Sequence, residues 1–463
     1  MKFSKAFLAV SLASVALTNQ VGSSNVLPIR RRQLQSRAGS SVIPLKAADF
    51  GTIFDVEVSF GDQKFLLIPD TGSSDIWVVG TGFECFDSNQ TVLPQSSCRF
   101  ANTYNKSATF HEIHNETFGA GYGTGIALGL LGYEDIALGG VTVRQQTVGV
   151  VNMTTDTGDT INSGILGLGY PILTSAHAVG ALDITNPLAN RTNYDPLLYS
   201  MHKQGLIEPW FSIALNRLPR NTTIGDGGYL GLGELPPVPH SDIVVTAPVE
   251  VTEAIPIALT NGVRQITEWT LAVDSVLWGG ASNSSPAANS TRFQAVVDTG
   301  SPFNYLPPEI VDPIHALFSP PATMDAATGV APTPCDAKVP KLGVTIRGQT
   351  FWHLDQDLIL QTPDGSCISA LKYTAQGYGS GLNFLGDPFL KNVVSVFDFG
   401  KDEMRFMARQ DGGGVSTAGA TNRSSPGGGS SSSSNTSDGL TVQPLMEAVA
   451  AFSLFVAALA YAV

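Results

Sequence analysis

Basic residues are scarce in this sequence. Lys and Arg number 26 among 463 residues, against 39 Asp and Glu, for a formal net charge of −13. Binding to phosphate backbones relies on clustered cations, so this balance argues against nucleic acid as a partner. An acid-rich surface sheds self-repulsion where carboxylates protonate, which suits acidic surroundings; it is equally an ordinary soluble surface. Long amphipathic stripes of Ala, Glu, Lys and Leu are missing, so few helices are expected. Pro196 to Gly205 is one, closed by its glycine. Metal-binding spacings are missing too: no Cys-x-x-Cys pair occurs and the seven histidines form no set. His111-Glu112-Ile113-His114 lacks the His-Glu-x-x-His spacing and reads as a polar surface loop, and Asp355 and Asp357 read as solvated acids. The glycine-rich run before Gly125 fails as a phosphate loop, because Gly-x-Gly-x-x-Gly from Gly121 requires glycine where Ile126 stands. No metal and no cofactor are expected.

Cysteine is limited to Cys85, Cys98, Cys335 and Cys367. In an oxidising compartment these allow three pairings, of which Cys85–Cys98 with Cys335–Cys367 is preferred here, one loop inside each half of the chain. What the sequence does have is 48 Gly, 28 Pro and many short Val/Ile/Thr/Phe runs between turn clusters, with 43% hydrophobic residues. That combination predicts an all-β protein with a sizeable core. Strands are expected from Val42 to Leu45, from Ile53 to Phe60, in a run ending at Asp70, and from Val393 to Phe399. Gly129 to Val151 reads as two more around Gly139-Gly140. Phe118 to Leu128 reads as a β-hairpin with a mobile tip, its glycines permitting the turn.

One stretch occurs twice. Phe65 to Ile68 and Phe293 to Val297 each deliver an Asp-Thr-Gly-Ser turn, at Asp70-Thr71-Gly72-Ser73 and Asp298-Thr299-Gly300-Ser301. Each is followed by two apolar residues and a glycine, Ile165-Leu166-Gly167 and Phe384-Leu385-Gly386. One copy alone would read as a solvent-exposed turn. Two copies, in the same order at similar spacing, read as one site shared by two lobes. Two carboxylates held close cannot both ionise cheaply, so one stays charged while the other keeps its proton. Such a pair can deprotonate a water and donate to a peptide carbonyl, hydrolysing an amide by general acid–base catalysis. Gly72 and Gly300 let the chain turn and bring N–H groups near the carboxylates. Ser73 and Ser301 are expected to donate to the outer oxygens, and Thr71 and Thr299 to tie the turns together. Pro69 is the odd neighbour, since its missing N–H cannot join a ladder.

The whole set, with Ser74-Asp75-Ile76-Trp77 after the first turn and Tyr122-Gly123-Thr124-Gly125 in the hairpin, resembles the pepsin-like aspartic proteases from Val42 to Met407. The resemblance implies a bilobal pepsin-like fold, two β lobes with the active-site cleft between them and a hairpin flap over an extended polypeptide substrate. It implies Asp70 and Asp298 as catalytic residues, Tyr122 as the flap tyrosine with Gly123 beside it, Thr124 as a contact to substrate backbone, and Trp77 packed beside the tyrosine. On this reading the protein is an aspartic endopeptidase working at acid pH as a monomer. A catalytically silent wall-binding or adhesion protein that keeps the fold is the alternative. Pro302, where a small polar residue is more usual in the family, is expected to reshape the cleft wall.

The ends read differently. Residues 1–18, with Lys2 and Lys5 before an apolar run, are expected to be a signal peptide, followed by a short segment at 19–40 whose Arg30-Arg31-Arg32 suggests processing. The lobes are expected at 41–236 and 237–410, meeting at Pro236-Pro237. A Gly/Ser-rich stalk at 411–439 and an apolar tail within 440–463 read as a glycosylphosphatidylinositol (GPI) attachment signal, and resemble those of fungal cell-surface members. Ten Asn-x-Ser/Thr sequons behind a signal peptide suggest a glycoprotein of the secretory route, lipid-anchored at the plasma membrane or cell wall.

Overall fold

A computed structural model describes residues 42–87, 91–123, 125–155, 158–183, 190–260, 262–279, 285–375 and 381–411. The expected signal peptide, pro-segment, anchor signal and all but the first residue of the stalk lie outside them, as do Thr124 and the sequons at Asn89, Asn283, Asn422 and Asn435. The described chain is mostly β-strand, arranged as the bilobal pepsin fold.

The first aspartate strand, Gln63–Asp70, alternates its buried residues because Phe65 and Leu67 enter the core while Lys64 faces out. It pairs antiparallel with Ile53–Phe60 on one side. On the other it runs parallel to Gly164–Gly167, with Asp70 opposite Gly167. The second aspartate strand, Phe293–Val297, repeats the arrangement: it runs parallel to Phe384–Leu385, with Val297 opposite Leu385. Each apolar-apolar-Gly element is therefore the parallel neighbour of an aspartate strand. Both aspartates emerge from strands held on two sides, which is why their turns are placed so firmly. Pro69 does not break its strand. It lies opposite Leu166, and its carbonyl accepts a hydrogen bond from the Thr299 hydroxyl at 2.6 Å.

The second aspartate strand belongs to a five-stranded sheet. Its order is Thr270–Val273, Phe293–Val297, Phe384–Leu385, Asn304–Leu306 and Leu371–Tyr373. A further run of strands backs the molecule. Val42–Ala48 pairs with Gly225–Leu232, that strand with Trp210–Leu215, that with Val393–Asp398, and that with Glu403–Ala408. This run crosses Pro236-Pro237, so strands from both ends of the chain share one sheet. Trp269 is fully buried, 4.8 Å from the Tyr170 ring and 5.1 Å from that of Phe397. Its indole donates to the Leu168 carbonyl at 3.0 Å.

The expected helix is present as Leu197–Lys203, and the four cysteines form Cys85–Cys98 and Cys335–Cys367. Two expectations are corrected. His111 to His114 opens the strand His111–Tyr122 rather than a loop, with both histidines of the motif at its surface edge. Asp357 is buried, not solvated: Arg217 donates to both its oxygens at 2.7 Å and Asn392 to one at 2.8 Å. Asp355 does lie at the surface, beside Lys341.

Candidate active site

The two Asp-Thr-Gly turns meet face to face and are laced together by hydrogen bonds between their threonines and the strands that carry them. The Thr71 amide donates to the Thr299 hydroxyl at 3.0 Å, and the Thr299 amide donates to the Thr71 hydroxyl at 3.0 Å. Each hydroxyl then donates across the interface, Thr71 to the Val297 carbonyl at 2.8 Å and Thr299 to that of Pro69. Both threonines are buried, so every polar atom of the interlock is satisfied without water.

The lacing sets the carboxyls of Asp70 and Asp298 against each other, sharing a hydrogen bond. The amide of Gly72 donates to Asp70 at 2.9 Å, and that of Gly300 donates to Asp298 at 2.8 Å. No larger residue fits at either glycine. A Cβ at Gly72 would stand 2.7 Å from an Asp298 oxygen, and one at Gly300 would strike Asp70 more closely still.

The near-symmetry stops at the serines. Ser73 donates to the outer oxygen of Asp70 at 2.5 Å. Ser301, expected to do the same for Asp298, instead donates to the Phe303 carbonyl at 3.1 Å. The electrostatics follow. Burial raises Asp70, opposed by the hydrogen bonds from Ser73, Asp298 and Gly72. Burial raises Asp298 well above the usual carboxylate range, the charge of Asp70 adds to it, and only the Gly300 amide opposes. Asp298 is thus the better proton holder and Asp70 the better anion.

The hairpin of His111–Tyr122 and Gly125–Leu138 is the one expected to be the flap, and it has Tyr122 opposite Gly125 at its tip with Gly123 in the turn. The indole of buried Trp77 donates to the Tyr122 hydroxyl at 2.6 Å, their rings 6.2 Å apart. Trp77 lies on the strand leaving the first aspartate turn, Ile76–Phe86, so flap and dyad share a mount.

Three groups at the site were given no role by the sequence reading. Asp75 accepts from the Tyr194 hydroxyl at 2.5 Å and the Ser175 amide at 2.8 Å, pinning the chain after the turn. Glu268 sits one residue before Trp269, whose carbonyl accepts from Val297. Glu268 lies within electrostatic reach of Asp298 and Asp70. Glu268 is buried with one oxygen lacking a hydrogen-bond partner, and burial, Asp298 and Asp70 all push its pKa well up. Asp387 is buried behind Asp298 and likewise raised by burial. An isolated acid beside an apolar run was the signal for Glu268, and the glycine-acid pair after Leu385 the signal for Asp387. Among the described residues no cluster suited to a metal ion occurs.

Comparison with known proteins agrees with this geometry. The model of the eukaryotic aspartyl protease family matches residues 53–409. A probable aspartic-type endopeptidase of Aspergillus fumigatus is 36% identical over 381 residues, 81% of this chain and 82% of the relative. Gastricsin of Oryctolagus cuniculus is 28% identical over 79% of this chain and 82% of its own length. The crystal structure of an aspartic proteinase from Irpex lacteus superposes with a TM-score of 0.59 at 19% identity, covering 80% of this chain and 97% of that one; at that identity it supports the fold. With 357 of its residues spanned by the family model (409 − 53 + 1), the chain belongs to the eukaryotic aspartyl proteases and is an aspartic-type endopeptidase.

Proposed function

We propose that Asp70 and Asp298 hydrolyse peptide bonds at acid pH by activating a water between them. The observation that carries this reading is the unequal support of two facing carboxyls, with Ser73 on one and no counterpart on the other. Asp70, as the anion, takes a proton from the attacking water while Asp298 gives its proton to the peptide carbonyl oxygen. Water oxygen bonds to the carbonyl carbon and a tetrahedral diol forms. Asp70 then passes its proton to the amide nitrogen while Asp298 takes one from a diol hydroxyl, the C–N bond breaks, and a carboxylic acid and an amine leave with both aspartates restored. Thr71 and Thr299 keep the carboxyls opposed, Gly72 and Gly300 supply amides to them, and Tyr122 with Gly123 and Thr124 closes over the peptide. The dyad titrates as a unit, so kcat/KM on an unfolded protein should give a bell with both limbs below neutrality. A profile that peaks above pH 8 would sink the reading.

The same proposal places the enzyme on the cell surface through a GPI anchor, after removal of a signal peptide. The apolar tail and small-residue stalk motivate it. Among the described residues no helix is long and apolar enough to cross a membrane. Phosphatidylinositol-specific phospholipase should release the protein from membranes; retention after treatment contradicts the anchor. Asn115, Asn152 and Asn190 are exposed in the folded protein, which suits glycosylation, and a mass shift on glycosidase treatment checks it.

A further inference from the structure

The five-stranded sheet that delivers Asp298 ends at the strand Leu371–Tyr373, and Lys372 lies at its centre. In the parallel register Lys372 sits opposite Tyr305, so both side chains leave the same face. The ammonium stands 4.3 Å from the centre of the Phe303 ring and 5.9 Å from that of Tyr305. Those rings meet edge to face at 6.1 Å, and Tyr305 packs on Phe384 at 5.5 Å. Phe303 follows the second aspartate turn by two residues, after Pro302, and Phe384 begins the parallel neighbour of that aspartate's strand. The phenol of Tyr305 is raised first by burial and then by the charge of Asp298, so the patch lies within electrostatic reach of the dyad.

The cation is not neutralised. Among the described residues no carboxylate forms an ion pair with Lys372, and burial alone lowers its pKa to about 8, with no acid opposing. Ring faces attract an ammonium and restrict where it points, but they accept no conventional N–H···O bond. A partly desolvated ammonium with no ion pair or hydrogen bond among the described residues, held on an aromatic wall in the sheet that delivers Asp298, is built to receive an anion. At acid pH the amine is fully protonated, while a glutamate side chain is ionised above its ordinary pKa of about 4.3.

We propose that Lys372 is a specificity-determining residue: it takes the carboxylate of an Asp or Glu side chain of the peptide substrate, with Phe303 and Tyr305 flanking that side chain's methylenes. This inference rests on reading the cleft as the peptide site, and its test separates the two. The full chain and its Lys372→Met and Lys372→Glu variants are given peptides in which Glu, Gln or Lys is moved through each position around the scissile bond, at pH 5. Cleavage is measured on ordinary peptides and binding on the same series with a reduced, uncleavable bond. At one position Glu should be favoured over Gln by about tenfold, a ratio ordinary for one partly desolvated charge pair. Lys372→Met should bring that ratio to about one, and Lys372→Glu should turn the preference toward Lys, both while still binding the Gln peptide. A wild-type profile with no acidic position, or one unchanged by Lys372→Met, overturns the inference. Acid-selective binding without any cleavage would instead contradict the hydrolytic mechanism and leave Lys372 its role.

Discussion

Asp70 and Asp298 are each followed by Thr-Gly-Ser in sequence but have different neighbours in space. Ser73 turns to its aspartate and Ser301 turns to a backbone carbonyl. That difference assigns the anion to Asp70. It also yields a prediction at a single hydroxyl. Ser73→Ala removes a bond that holds Asp70 down, so the pKa of Asp70 rises. The acid limb of kcat/KM, which reports ionisation of the base, should then move to higher pH; Ser301→Ala should leave it in place. An unmoved limb in Ser73→Ala would mean that the anion is not Asp70. At this scale the sequence was legible where a residue's role is local. Gly72 and Gly300 were readable because an Asp-Thr-Gly turn needs close backbone approach. Asp357 was misread because its partner Arg217 lies 140 positions away. Glu268 was overlooked because only the fold brings it near Asp298 and Asp70.

At the scale of elements, the interlock of the turns and the mount of the flap each make one demand. Thr299→Val deletes a hydroxyl that both accepts from the Thr71 amide and donates to Pro69. Leaving those buried partners unpaired should cost roughly 1–3 kcal/mol of stability, read as a lower urea midpoint. An unchanged midpoint would show that the lobes do not depend on this lacing. Trp77→Phe keeps an aromatic side chain, though a smaller one, and loses the donor to Tyr122. A hairpin tip held less firmly should raise KM by a few-fold, and the space left in the fully buried Trp77 site should lower stability by roughly 1–3 kcal/mol. These elements were readable in advance: the hairpin from its glycines and alternation, and the paired apolar-apolar-Gly strands from their repeated order. The sheet that crosses Pro236-Pro237 was not. Strands from residues 42–48 and 393–408 share it through Gly225–Leu232 and Trp210–Leu215, and no local pattern encodes which distant strand will pair.

For the molecule as a whole, buried acids dominate the response to pH. Asp55, Glu268, Asp298 and Asp387 are all raised well above ordinary carboxylates, with burial the first cause of each. A carboxyl whose folded pKa exceeds its unfolded value keeps its proton only in the folded protein. Its stabilisation is complete below the unfolded pKa and is lost as pH climbs toward the folded one. His315 and His353 work in the opposite sense, since burial lowers both to about 4 and the unfolded chain takes up their protons below pH 6.5. Four strongly raised acids against two histidines leave the acids in control as pH climbs from the ordinary carboxylate range. The melting temperature should therefore fall as pH rises from about 4. A protein that gains stability toward pH 8 would contradict the protonated state assigned to these groups. That balance also agrees with the acid-rich composition, in which carboxylates outnumber cations.

The central claim is that neither aspartate works without the other, and the isosteric amides test it most directly. Asp70→Asn and Asp298→Asn should each fold with the parent's melting temperature at pH 4 to within a few degrees and each lose at least about a hundredfold in the rate of cleaving an unfolded protein at that pH. If either variant digests that protein as fast as the parent, the shared water-activating site is not the source of the activity.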